Sequence, residues 1–329
     1  MAPQATLVRL ADLQSPVARE LASVPDELRR IVSADSPLIE EVSGHLLRAK
    51  GKLLRPTLLF LAGQASGSAD EHRLRLAAIV ELIHLATLVH DDSVDHSALR
   101  RGQPTINALF SHQVAVIMGD YLFSRAIREL VAMDDVEPLR ILSQVTSEMS
   151  LGEMRQLDAY DVVQFTEDEY AVVIRAKTAS LFSAACELGA RRAEPARRRA
   201  LREYGDALGM AFQITDDLLD YTGGEAVTGK PSGLDLREHK ATLPLIAALP
   251  ALSPEERRGV EELFAEKEPD DAAVALVIGR VRRSGGLDYA RERALEHAAR
   301  AEAALEDLPP SPARDGLRDA IVYAVERRR

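Results

Sequence analysis

Apolar residues recur along this chain at steps of three and four, and nowhere in sustained alternation broken by hairpin turns. The first pattern marks helices with one buried face; the second would mark half-buried strands. Residues 35–48, 106–131, 137–160 and 167–189 are predicted to be helices on this ground. Residues 76–89 are apolar on almost every side, interrupted by Glu81, His84 and Thr87. A helix that is apolar all round belongs inside a bundle. Residues 191–203, rich in arginine, read as a solvated turn and helix face. The stretches 250–256, 266–271 and 307–315 read as turns between C-terminal helices, and TGGEAVTGKPSG at 222–233 as a mobile loop. The expected fold class is all-α: a short N-terminal helical segment at 1–30 and one helical-bundle domain at 31–329, with no Pro/Gly/Ser-rich linker between them.

The most apolar helix carries a polar stripe. His84, Thr87, Asp91 and Asp95 are spaced by three and four residues and therefore share one side. The stripe ends in Asp91, Asp92 and Asp95. Buried carboxylates without partners are costly, and Asp91 and Asp95 repel each other across one turn. A cation must offset them. For a single motif of this kind, a solvated helix end would be an adequate account. A second copy stands 125 positions on, in FQITDDLLD, with Asp216, Asp217 and Asp220 at the same spacing. Upstream of it, Gly205, Gly209 and Gln213 form a small and polar side of the helix, as expected for the wall of a cavity. Two such clusters facing each other would hold hard divalent ions such as Mg²⁺ against a diphosphate.

Composition narrows the partners. Lys and Arg number 41 against 52 Asp and Glu, a formal charge of −11, which argues against nucleic acid. Anionic substrates would then need local cations, and bound metal supplies them. One cysteine, Cys186, allows no intrachain disulfide. The first 30 residues lack a basic start and apolar run, and 76–89 is too short for a transmembrane segment. A cytoplasmic protein is expected.

Further pieces complete a pattern: GKLLRP at 51–56, RRGQPT at 100–105, GDYLF at 119–123, GEMRQ at 152–156, KTASLF at 177–182, GKPSGLDL at 229–236 and KATLPL at 240–245. With the two aspartate motifs, and in this order, they resemble the trans-isoprenyl diphosphate synthases, or polyprenyl synthetases, from about residue 30 onward. The resemblance implies a helical bundle around a central cavity, a homodimer, and a Mg²⁺-dependent prenyltransferase. Its substrates would be isopentenyl diphosphate and an allylic diphosphate, joined head to tail into an all-trans polyprenyl diphosphate.

It also implies roles. Asp91, Asp95 and Asp216 would hold metal, and Asp92, Asp217, Asp220 and Lys177 would complete the catalytic set. Lys52, Arg55, His84 and Arg101 would bind isopentenyl diphosphate; Arg100, Lys177, Lys230 and Lys240 the allylic diphosphate. Thr178 and the Gln213 carbonyl would lie near the nascent cation. Gln156 is a candidate support for the first cluster, and Asp120 either holds a basic residue of the site or ends a helix. His239 stands where the family usually has glycine, which weakens the transfer to Lys240. Ala86 and Thr87, one turn before Asp91, carry no ring to stop a growing chain, so the product is expected to exceed farnesyl in length. The alternatives are a geranylgeranyl or farnesyl diphosphate synthase, a class I terpene cyclase, and the regulatory subunit of a heteromeric synthase. The second DDxxD and the scarcity of aromatics (4%) disfavour a cyclase. The retention of both motifs disfavours a regulatory subunit.

Overall fold

The structure, a computed structural model, describes residues 8–48, 51–100, 102–157, 162–222 and 233–326. These are almost entirely helical. The N-terminal part comprises α1 (Leu10–Gln14), a 3₁₀ turn (Ser15–Val17), α2 (Ala18–Val32), α3 (Pro37–Arg48) and α4 (Leu54–Ser66). The apolar helix is α5 (Arg73–Val94). A ribbon of two two-residue strands follows, β1 (Leu99–Arg100) and β2 (Gln103–Pro104), antiparallel with Leu99 opposite Pro104. Then come α6 (Ile106–Leu109), α7 (His112–Val131), α8 (Val136–Leu157), α9 (Glu167–Ile174), a π turn (Arg175–Ala179), α10 (Ser180–Gly189) and α11 (Pro195–Thr222). The C-terminal part is α12 (Leu234–Arg237), α13 (Leu243–Ala248), α14 (Pro254–Ala265), α15 (Asp271–Arg283), α16 (Gly286–Ala304) and α17 (Pro312–Glu326).

Four helices, α4, α5, α10 and α11, make the middle of the bundle. Along α5, residues 76–83 are all buried, as the apolar run requires. Helix α10 lies between α4 and α11, while α7 covers α5 and α16 covers α11. Leu13, Val17, Leu21 and Val24 of the N-terminal segment sit in the same core as α4 and α5. A second apolar cluster links Tyr221 and Leu236 to α13, α14 and α15, and a third joins Tyr170 and Ile174 to Met210, Ile214, Ala290 and Ala294. Among the described residues no helix is long and apolar enough to cross a membrane.

Four sequence expectations change. The helix predicted at 106–131 breaks at Phe110 and Ser111; Ser111 caps α7 by accepting from the Val114 amide at 3.2 Å. The helix at 167–189 contains a π turn, with the Ser180 amide bonded back five residues to Arg175. The arginine-rich stretch after α10 is not merely solvated. Arg191 is fully buried, ion-paired with Asp70 and Asp135, and Arg198 bonds Glu137 and, at 2.8 Å, Glu187. Arg191 thus ties the loops before α5, α8 and α11 together at the end of the bundle remote from the aspartates. Finally, Gly205 and Gly209 do not line a cavity. A Cβ on Gly209 would fall 2.5 Å from the Ala179 Cα, and one on Gly205 would fall 2.7 Å from the Phe182 carbonyl oxygen. The missing side chains let α11 lie flush on the π turn and α10.

Candidate active site

The first acidic motif occupies the last turn of α5. Its aspartates divide into two kinds. Asp92 is buried and accepts from Arg100 Nε through both carboxylate oxygens at 2.8 Å. Arg100 is carried there by the ribbon, which is anchored by Asn107 Nδ2 and Thr105 Oγ1 to the Ser97 carbonyl at 3.0 and 2.6 Å and by His45 to the Pro104 carbonyl. Asp91 and Asp95, four residues apart, share a neighbouring side of the helix. Burial raises the Asp91 carboxyl to about 6; Glu153 and Asp95 push in the same direction, against Lys177 and Arg100. The Asp95 carboxylate, 28% exposed, is 3.1 Å from Lys240 Nζ.

The second motif, near the end of α11, repeats the division. Asp217 is buried, accepting from Tyr170 OH at 2.5 Å and from Gln213 Nε2 at 2.7 Å. Asp216, one residue earlier, is exposed. Asp220 accepts from the Leu234 and Asp235 amides, both at 3.0 Å, and so fastens α12 to α11. Asp235 therefore joins Asp216, Asp217 and Asp220 as a fourth carboxyl. Burial and the charges of its neighbours drive its affinity for a proton well up, with Lys240 opposing.

Lys240 connects the two motifs. Its amide donates to the Asp235 carbonyl at 2.7 Å, while its ammonium reaches Asp95 and, at 2.8 Å, Glu238. Burial disfavours its charge, but Asp95 and Glu238 more than restore it. Its backbone bonds the segment fastened to Asp220 and its side chain bonds Asp95, so one lysine links the ends of the two motifs. His239 adopts φ +56°, the left-handed conformation that costs a non-glycine residue on the order of 1 kcal/mol. This explains why glycine suits the position. Here the imidazole offsets the strain by bonding the Glu266 carbonyl at 2.7 Å and lying edge-on to Phe264.

A third side of the site comes from α8 and the π turn. Lys177 Nζ donates to Gln156 Oε1 at 2.8 Å and is ion-paired with Glu153. Gly152 permits this: a Cβ there would lie 2.7 Å from the Ala176 Cβ. Thr178 Oγ1 donates to Gln213 Oε1 at 2.8 Å. π turns inside α-helices are frequent at functional positions, and this one presents Lys177 and Thr178 together.

Lys52 and Arg55 stand at the start of α4. Leu53 between them has φ +47°. Gln14 Nε2 donates to the Lys52 carbonyl at 2.9 Å, and the Lys52 ammonium lies 5.7 Å from the Tyr323 ring centre. The Arg55 guanidinium stacks 4.8 Å over Phe182, which in turn packs on Phe212 beside Gln213. His84 is partly buried on α5, two turns before Asp91. Arg101 and Lys230, and the loop expected at 222–233 save its end residues, lie outside the described residues. Asp120 neither ends a helix nor holds a basic residue of the site. It sits mid-way along α7, exposed, 3.5 Å from His90 Nε2. Glu153, Tyr170 and Asp235 were not singled out from the sequence. Glu153 and Asp235 lie within the quoted pieces GEMRQ and GKPSGLDL; nothing local marks Tyr170.

Residues 36–280 match the family model described as Polyprenyl synthetase. The chain is 42% identical to the all-trans-nonaprenyl-diphosphate synthase (geranyl-diphosphate specific) of Rhodobacter capsulatus, over 96% of this chain and 97% of that one. It is 34% identical to the octaprenyl diphosphate synthase of Escherichia coli K12, over 98% and 100%. Among solved structures it resembles a polyprenyl synthase from Caulobacter crescentus complexed with calcium and isoprenyl diphosphate. That match has a TM-score of 0.93 and 36% identity, covering 99% of this chain and all of that one. Paired acidic motifs joined through Lys240 in an all-helical bundle, and full-length likeness to these synthases, lead to one conclusion: the chain belongs to the polyprenyl synthetase family.

Proposed function

We propose that this protein condenses isopentenyl diphosphate with an allylic diphosphate to give an all-trans polyprenyl diphosphate longer than farnesyl. The observation that carries the proposal is the link through Lys240, whose ammonium pairs with Asp95 of the first motif and whose amide bonds the Asp235 carbonyl beside Asp220 of the second. So many carboxyls, three of them with raised proton affinity, call for cations beyond Lys240. The donors are all oxygens, which suits Mg²⁺. Asp91, Asp95 and Asp216, with Asp235 close by, would hold it, and it would neutralise charge on a departing diphosphate.

Lys177, Lys240 and Arg100 add fixed positive charge where the allylic diphosphate leaves, with Lys230 a further candidate. Lys177 would exchange Glu153 for the diphosphate. The allylic C–O bond breaks, leaving an allylic cation next to Thr178 and Gln213. Lys52, Arg55, His84 and Arg101 hold isopentenyl diphosphate, whose terminal double-bond carbon forms the new C–C bond. The product loses a proton to a diphosphate oxygen. Ala86, buried in α5, and Thr87, whose hydroxyl donates to the His84 carbonyl at 2.8 Å, leave the side of the helix below Asp91 without an aromatic stop. The nonaprenyl and octaprenyl names of the relatives support a long product.

A homodimer is part of the same proposal. Ile117 and Val131 of α7 and Leu151 and Met154 of α8 are each more than half exposed. Exposed apolar side chains on two helices that touch each other are what a second copy would cover. The test is incubation of the purified chain with Mg²⁺, labelled isopentenyl diphosphate and geranyl, farnesyl or geranylgeranyl diphosphate, followed by product sizing. Products beyond farnesyl are expected; failure to consume isopentenyl diphosphate with any primer refutes the proposal.

A further inference from the structure

The residues of α11 at 205, 209, 213 and 217 form one stripe, four apart, laid against the α9–α10 rod. The two glycines bring the backbones together. That closeness lets the next two members of the stripe reach across: Gln213 to Thr178 and Asp217 to Tyr170. The result is a chain of hydrogen bonds with a single direction. Tyr170 OH and Gln213 Nε2 both donate to Asp217, and Thr178 Oγ1 donates to Gln213 Oε1.

The direction follows from the chemistry. Each Asp217 oxygen is met by a donor, Tyr170 OH on Oδ2 and Gln213 Nε2 on Oδ1, so the Gln213 atom facing Asp217 is the nitrogen. The carbonyl oxygen must then face Thr178. That in turn uses the one proton of the Thr178 hydroxyl, and its oxygen can offer only lone pairs to anything else nearby. Were the Gln213 amide turned over, its NH₂ would face Thr178. The hydroxyl proton would be released toward the site, where it would oppose a developing positive charge. Tyr170 and Asp217 are both more than nine-tenths buried, and Tyr170 is packed among Ile174, Ile214 and Leu218, so this anchor has little freedom.

We propose that Tyr170 and Asp217 are positioning residues: they fix the Gln213 amide so that the Thr178 and Gln213 oxygens turn negative ends toward the allylic carbon as its bond to oxygen breaks. This rests on the function proposed above and goes beyond it in two respects. It gives Tyr170 a role, and it separates Asp217 from metal-holding Asp216 although the two are adjacent.

The test compares Tyr170→Phe, Asp217→Asn and Asp216→Asn with the wild type in two assays. In steady-state condensation, Tyr170→Phe keeps the buried ring and loses one donor. It should lower kcat about tenfold while KM for either substrate stays within about twofold, because the lost orientation matters only as charge develops. A general loosening of the fold would move both KM values and the melting temperature. In the second assay, the thermal shift produced by Mg²⁺ with inorganic pyrophosphate should survive in Tyr170→Phe and Asp217→Asn and be lost in Asp216→Asn. Unchanged kcat in Tyr170→Phe, or loss of the thermal shift in Asp217→Asn, overturns the inference. If the wild type itself fails to consume isopentenyl diphosphate, the proposed function fails, and the thermal-shift comparison still decides whether Asp217 behaves as a metal carboxylate.

Discussion

Asp91 should make the protein less stable in order to make it work. Its carboxyl is raised from 3.8 to about 6, chiefly by burial and, in the same sense, by Glu153 and Asp95. At 1.36 kcal/mol per pH unit, keeping it charged in the folded protein costs up to about 3 kcal/mol. The folded carboxyl binds its proton more tightly than the unfolded one. Between pH 3.8 and 6 the folded state therefore carries the extra proton, and stability from this group rises as pH falls through that window. Asp91→Asn removes the buried charge. In chelator at pH 7.5 the variant should be more stable by about 1–3 kcal/mol, discounting for partial solvent contact, or about 1.5–4.5 °C in Tm. At pH 5 its advantage should shrink to about half, because the wild-type carboxyl is by then largely protonated. Adding Mg²⁺ and pyrophosphate should reverse the order, since only the wild type gains from the ligand. Thermal and urea denaturation with and without chelator read all three quantities. An Asp91→Asn variant no more stable than wild type at pH 7.5, or an advantage independent of pH, would refute the reasoning.

Two further outcomes follow from other parts of the molecule. Ala86→Phe places a ring one turn before Asp91 and should shift the product distribution to shorter chains at similar total turnover; an unchanged distribution removes the argument for an open tunnel. Arg191→Ala leaves Asp70 with the His72 amide but without its ion-pair partner. Burial alone would raise the Asp70 carboxyl, and Arg191 holds it below its ordinary value, so the substitution should cost about 3–5 kcal/mol in urea unfolding. A loss under about 1 kcal/mol would mean that the loops it joins do not depend on it.

The acidic clusters were legible in the sequence because one helix displays its own neighbours at fixed spacing. An apolar run such as 76–89 that ends in carboxylates announces both burial and the need for cations. What spacing cannot show is which other helix meets a given face. Gly205 and Gly209 look like a cavity wall when α11 is considered alone; only α10 and the π turn reveal them as a contact surface. Arg191 follows the same rule. In a run of arginines it looks solvated, yet its partners Asp70 and Asp135 come from two loops far away in the chain. The π turn at Lys177 leaves no periodic trace because its sequence remains helix-compatible. His239 is the opposite case: a departure that seemed to weaken Lys240 proves to hold the required left-handed turn by other contacts.

The central claim is that Asp91 and Asp216 serve one site. Calorimetric titration of Mg²⁺ with pyrophosphate into wild type, Asp91→Ala, Asp216→Ala and the double variant tests it most directly. A shared site predicts that each single substitution removes most of the binding and that the double loses little more. Losses that simply add, or two separate binding events of which each variant retains one, would contradict it.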